Sequence, residues 1–130
     1  MKIRIKGNSL RYRLTKTDVN SFCIDGYLEE TTRFGNNELV YAVKLYNEND
    51  LSAGFENNKI TLFMPHSFAK EWAETERVGF ESKNQDLYLL IEKDFKCLDE
   101  VAEDQSDNYP NPLAGTNKLF LLNPSSNQEN

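Results

Sequence analysis

The sequence predicts an α+β fold of two pseudo-repeated β-β-α-β-β units, about eight mostly antiparallel strands with two short amphipathic helices. Three observations carry this expectation. Strict period-2 alternation opens the chain, the same apolar pattern returns at an offset of 50 residues, and each copy holds one short run of helical spacing between alternating runs.

The elements follow in order. Ile3 and Ile5 alternate with Lys2, Arg4 and Lys6, and Leu10, Tyr12 and Leu14 alternate with Arg11 and Arg13. Gly7-Asn8 between them suits a two-residue hairpin turn, because both residue types tolerate positive φ. Thr15-Lys16-Thr17-Asp18 offers a helix start, Val19, Phe22 and Cys23 keep helical spacing, and Gly26 ends the helix. Residues 27–34 and 39–46 read as strands around the turn signal Gly35-Asn36-Asn37.

Fifty residues on, Ala53/Phe55, Asn57-Asn58 and Ile60/Leu62/Met64 repeat the plan. Val19 falls on Ala69, Phe22 on Trp72, Cys23 on Ala73 and Leu28 on Val78; after a two-residue shortening, Leu39, Tyr41 and Val43 fall on Leu87, Leu89 and Ile91. The units span about 1–48 and 51–95, with Phe22 and Trp72 as the expected core anchors. Two arrangements satisfy the pattern: two sheets related by pseudo-twofold symmetry, or one curved sheet with the helices filling its open face.

After Phe95 the chain turns acidic and aperiodic, so residues 96–112 read as a loop belonging to neither repeat. Tyr109-Pro110-Asn111-Pro112 fixes a rigid path, and burial of Tyr109 would anchor the loop. The expected domain is 1–112, followed by a partly disordered C-terminal extension, 113–130, in which Leu119–Leu122 could dock as a short strand.

The net charge of −6 is the wrong sign for a long nucleic-acid footprint. Residues 1–16 are the exception, with Lys2, Arg4, Lys6, Arg11, Arg13 and Lys16 and no acid. No run approaches a membrane span and the opening alternation is unlike a signal peptide, so a soluble, cytoplasmic protein with no membrane partner is expected. Cys23 and Cys97 read as free thiols, and with His66 the single histidine, a Cys97–His66 nucleophile and base is only a formal option.

A turn at Gly7-Asn8 pairs Lys6 with Ser9, Arg4 with Arg11 and Lys2 with Arg13, which stacks like charges across two strands. Three readings of this ladder stand side by side: a solvated face, a face covered by acids of the same chain (Asp99, Glu100, Glu103, Asp104, Asp107, or Glu29 and Glu30), and a site for an anionic ligand. Glu103, Asp104 and Asp107 could also gather oxygen ligands for Mg²⁺ or Ca²⁺, although their spacing misses the calcium-loop pattern; the main expectation is no cofactor.

The stretch from Met1 to Thr15, MKIRIKGNSLRYRLT, and the segment from Ile91 into EDQSDNYPNP, ending at Pro112, together resemble a family of small bacterial proteins known only as a domain of unknown function. The resemblance implies no activity, substrate or catalytic residue.

The sequence holds no catalytic constellation, so the leading expectation is a small binding or interaction module using the basic hairpin face and the acidic loop, with a protein or small anion as partner. The alternative is a metal-dependent phosphate- or nucleotide-processing enzyme. It would line a curved sheet with the ladder and Arg33, and hold Mg²⁺ on Glu30, Glu92 or Asp104 and Asp107.

Overall fold

A computed structural model describes residues 1–95 and 106–110. The element order is β1 (Lys2–Lys6), β2 (Ser9–Leu14), α1 (Lys16–Asp25), β3 (Tyr27–Phe34), β4 (Asn37–Tyr46), β5 (Ser52–Glu56), β6 (Lys59–Pro65), α2 (His66–Glu74), β7 (Gly79–Asn84) and β8 (Leu87–Lys93). The β-β-α-β-β plan is therefore present twice. Loop residues 96–105 and residues 111–130, with Cys97 and Leu119–Leu122, lie outside the described residues.

The strands form two four-stranded sheets, ordered β1-β2-β8-β7 and β3-β4-β6-β5. Each sheet thus takes one hairpin from each unit. The hairpins are antiparallel, and the joins between units, β2 to β8 and β4 to β6, are parallel. Of the two arrangements the pattern allowed, the pair of sheets is the one found, and the units are interlocked through them.

The registers give the repeat an independent measure. Tyr12 stands opposite Ile91 at one join, and Leu62 opposite Val43 at the other, so the 50-residue offset between Tyr12 and Leu62 requires Ile91 to match Val43. That is the expected match. The expected match of Leu28 with Val78 is wrong. Leu28 pairs with Val43 and Phe80 with Ile91, so Phe80 is the true counterpart, and Val78 lies in the longer link before β7. Leu28 stands seven residues before the turn at Gly35 and Phe80 five before Gln85, which makes the β3–β4 hairpin two residues longer in each arm.

Local chemistry sets the ends of elements. Thr15 caps α1 with a capping box: its hydroxyl accepts from Asp18 N while Asp18 Oδ2 accepts from Thr15 N. Gly26 closes the helix in the left-handed region at φ 77°, donating to Phe22 O, where a side chain would be strained. At the first hairpin turn only Gly7 takes positive φ, whereas Asn57 and Asn58 both do in the second. The β3–β4 turn uses Gly35-Asn36 alone, so β4 starts at Asn37, two residues before the expected strand.

One core joins both sheets and both helices. Leu10, Tyr12 and Leu14 of β2 meet Phe22, Val43, Leu62, Met64, Trp72, Leu89 and Ile91 there. Phe22 and Trp72, at matching helix positions, are fully buried, as anchors should be. The Trp72 indole N–H donates to Val78 O at 2.9 Å, and the Tyr12 hydroxyl crosses to the other sheet to donate to Ile60 O at 3.1 Å. Both buried polar tips are satisfied, which makes their burial favourable.

Candidate anion-binding face

Burial of Leu10, Tyr12 and Leu14 turns the alternate residues of β2, and with them the ladder, to the outer side of the first sheet. The register is the expected one: Lys2 opposite Arg13, Arg4 opposite Arg11 and Lys6 opposite Ser9. The parallel join extends each row onto β8, with Glu92 beside Arg13, Leu90 beside Arg11 and Tyr88 beside Ser9. Five cations therefore share one face with a short strip of β8.

Like charges at this spacing need counter-charge, and β8 supplies it. Glu92 Oε1 accepts from Arg11 Nε at 2.9 Å and from Arg13 Nε at 3.0 Å, and Arg11 Nη2 lies 2.8 Å from the same oxygen. All three side chains are largely buried, so Glu92 fixes where both guanidinium groups point. Asp94 follows on the same side, its Oδ2 3.2 Å from Lys2 Nζ. That contact is an ion pair, without hydrogen-bond geometry, and it lies at a carboxylate only 6% exposed.

Of the acids named for an intramolecular cover, the three that are described, Glu29, Glu30 and Asp107, have other partners. Glu29 accepts from the Tyr27 hydroxyl and pairs with Lys59 on the second sheet, which together hold its carboxyl below its ordinary pKa. Glu30 binds the amino group of Met1 at 2.7 Å, beside Asp18 at 2.8 Å. Asp107 serves α1: its carbonyl accepts from Lys16 N at 3.1 Å and its Oδ1 from the Thr17 hydroxyl at 3.0 Å and Thr17 N at 3.3 Å. Asp99, Glu100, Glu103 and Asp104 lie outside the described residues.

The metal expectation on Glu103, Asp104 and Asp107 is thus represented by Asp107 alone, whose described contacts are to α1. Among the described residues no three His, Cys, Asp or Glu side chains gather as a metal site. Arg33, expected on the same cationic surface, lies on β3 in the other sheet and pairs with Glu38 at 2.9 Å. His66 is exposed at the start of α2, and burial pushes the Cys23 thiol pKa up while it donates to Ala69 O at 3.6 Å. A raised thiol pKa disfavours a nucleophilic role.

The ladder borders two shallow clefts that share Arg4 and Arg11. One, of about 380 Å³, is lined by Lys2, Ile3, Arg4, Arg11 and Arg13. The other, of about 320 Å³, adds Lys6, Ser9, Leu10, Tyr88 and Leu90. Tyr88 donates to Glu81 Oε2 at 2.6 Å, a bond that raises the phenol pKa and fixes the ring at the rim. The second sheet carries a cleft of about 410 Å³ at the corresponding place, lined by Gly54, Glu56, Asn57, Lys59, Thr61 and Phe63. The cleft is thus common to both units, and the dense positive charge belongs to the first.

Sequence reasoning did not foresee Glu92 and Asp94 as partners of the ladder, nor Lys93 inside. Lys93 is only 7% exposed; its ammonium donates to Thr75 O at 3.1 Å and sits 5.1 Å above the Tyr109 ring, and burial lowers its pKa. Tyr109, expected as the anchor of the loop, does pack against the core, with Tyr109 N bound to Asp94 O at 2.8 Å and its ring 5.7 Å from Phe95.

Two interlocked β-β-α-β-β units, with a cation-rich cleft on the outer face of one sheet, define a small α+β domain. The chain belongs to DUF7009, a family of unknown function that matches residues 1–113. No curated protein and no solved structure matches it. No helix among the described residues is long and apolar enough to cross a membrane.

Proposed function

We propose that this chain is a binding module that takes an acidic segment of a protein partner on the outer face of its first sheet. The observation that carries the reading is the contrast between the two clefts. Lys2, Arg4, Lys6, Arg11 and Arg13 stand where the second unit has Ser52, Gly54, Glu56, Thr61 and Phe63, so the fold does not require the charge. Glu92 holds Arg11 and Arg13 in fixed orientation, which reduces the entropy lost when a carboxylate docks. The open, shallow shape suits side chains of an extended segment better than an enclosed small molecule.

Thermal denaturation tests this, because a ligand of the native state raises the melting temperature. An acidic peptide such as oligoglutamate is expected to give a saturable rise, weakened by salt and lost in Arg4→Glu with Arg11→Glu. Glu92→Gln keeps a side-chain oxygen able to accept from both Nε atoms and removes only the competing negative charge, so it is expected to strengthen binding. A rise with phosphate or pyrophosphate alone would point to a small-anion site. A rise with Mg²⁺ or Ca²⁺ reversed by EDTA would favour the metal-dependent alternative, and no shift with any of them would overturn the reading.

A further inference from the structure

The four sheet edges of this fold are not alike. β1 carries Lys2, Arg4 and Lys6, β7 carries Lys83, and β5 has five residues with Gly54 among them. Charged or short edges of this kind resist pairing with another chain. β3 is the longest edge, eight residues without lysine or proline; its charges, Glu29, Glu30 and Arg33, are of mixed sign, and Glu29 to Phe34 are all exposed.

The phase of its hydrogen bonds shows which groups the edge offers. Leu45 N donates to Gly26 O at 3.0 Å, which marks Gly26 and Leu45 as a hydrogen-bonded pair in line with the β3–β4 register. Hydrogen-bonded pairs alternate along an antiparallel ladder, so Leu28, Glu30, Thr32 and Phe34 bond to β4. Glu29, Thr31 and Arg33 aim their backbone N–H and C=O outward along the open edge.

We propose that β3 is the interface of a homodimer, in which two copies pair antiparallel about a twofold axis at Thr31. In that register Thr31 faces the same residue of the second copy, Arg33 faces Glu29, and Phe34 faces Leu28. The charged pair lies on one side of the sheet and the apolar pair on the other, so both match face as well as sequence position. A shift of two residues places Arg33 opposite Tyr27 or Thr31 and loses the charge pairing. Phe34, now 64% exposed, gains an apolar neighbour. Glu30, which faces Thr32 in this register, has its charge matched by the amino group of Met1. The two four-stranded sheets would then run on as one.

Sedimentation velocity over a concentration series of the full chain tests this. A reversible dimer is expected. Thr31→Pro removes an edge N–H that the β3–β4 ladder does not use, and is expected to weaken dimerisation at least about tenfold with the circular dichroism spectrum retained. Arg33→Glu and Glu29→Arg, each alone, place like charges opposite one another and are expected to be monomeric; mixed in equal amounts they restore complementary pairs and are expected to form a heterodimer. The charge pair of variants decides the matter if Thr31→Pro fails to fold. A chain that stays monomeric at every concentration, a dimer indifferent to the three substitutions, or a mixture that remains monomeric would each overturn the proposal.

Discussion

At the scale of single residues, the candidate face depends on how closely β7 approaches Glu92. Gly79 stands opposite Glu92, and a Cβ on it would lie 2.2 Å from Ile91 O and 2.8 Å from both Cα and Cβ of Glu92. No rotamer relieves a clash with backbone, so Gly79→Ala must push β8 aside. The expected result is a loss of about 1–3 kcal/mol in chemical denaturation. Because Glu92 moves with β8, the same variant is expected to loosen Arg11 and Arg13 and so to weaken oligoglutamate binding. Unchanged stability would show that β7 shifts freely. The ladder itself is legible in the sequence, since alternation and a two-residue turn are local and fix which residues oppose one another. Its partners are not legible. Arg13 meets Glu92 through a parallel join that no turn specifies, and Lys93 occupies an inner position that alternation reserves for an apolar side chain.

At the scale of elements, α1 shows how a segment remote in sequence completes a helix. The first amide groups of a helix have no partner within it. Here Lys16 N and Thr17 N donate to Asp107, and Asp18 N to the Thr15 hydroxyl. The capping box was readable from Thr15 and Asp18 because its chemistry is local, whereas the role of Asp107 depends on the chain returning to the helix. Hydrogen bonds from Thr15 and Thr17 hold the Asp107 carboxyl below its ordinary pKa of 3.8. A depressed folded-state pKa contributes stability that is present above the unfolded value and lost as pH falls through the folded one. Asp107→Asn is therefore expected to lower stability near neutral pH by up to about 1 kcal/mol, an exposed cap being at the modest end of such effects. Denaturation curves should converge with the parent only as pH falls below 3.8 and through the depressed folded-state value, where the carboxyl is neutral in both states. A difference that persists unchanged at low pH would mean the carboxylate charge is not what matters.

At the scale of the whole molecule, the exchange of hairpins makes the halves interdependent. The apolar pattern disclosed the repeat because burial imposes period 2 on every strand, yet it could not say which hairpins share a sheet, since either pairing buries the same faces. The structure joins β2 to β8 and β4 to β6, so neither unit holds a complete sheet. Residues 1–48 alone would leave Tyr12 without Ile91 and Val43 without Leu62, and residues 49–130 alone would leave the same seams open from the other side. Four-strand sheets reduced to separate hairpins are marginal in water. Neither half is expected to melt cooperatively by itself. Trp72 reports on this directly, being the only tryptophan and fully buried in the intact fold. Its emission in residues 49–130 alone should be that of an exposed indole, and addition of residues 1–48 should shift it to the blue as the two parallel joins form. Because those joins connect residues as far apart as Ser9 and Tyr88, recovery should be slow even at saturating fragment, consistent with a fold dominated by non-local pairing. A blue-shifted, cooperatively melting 49–130 fragment would show instead that the second unit closes its own core, and that the interlocking contributes little to stability.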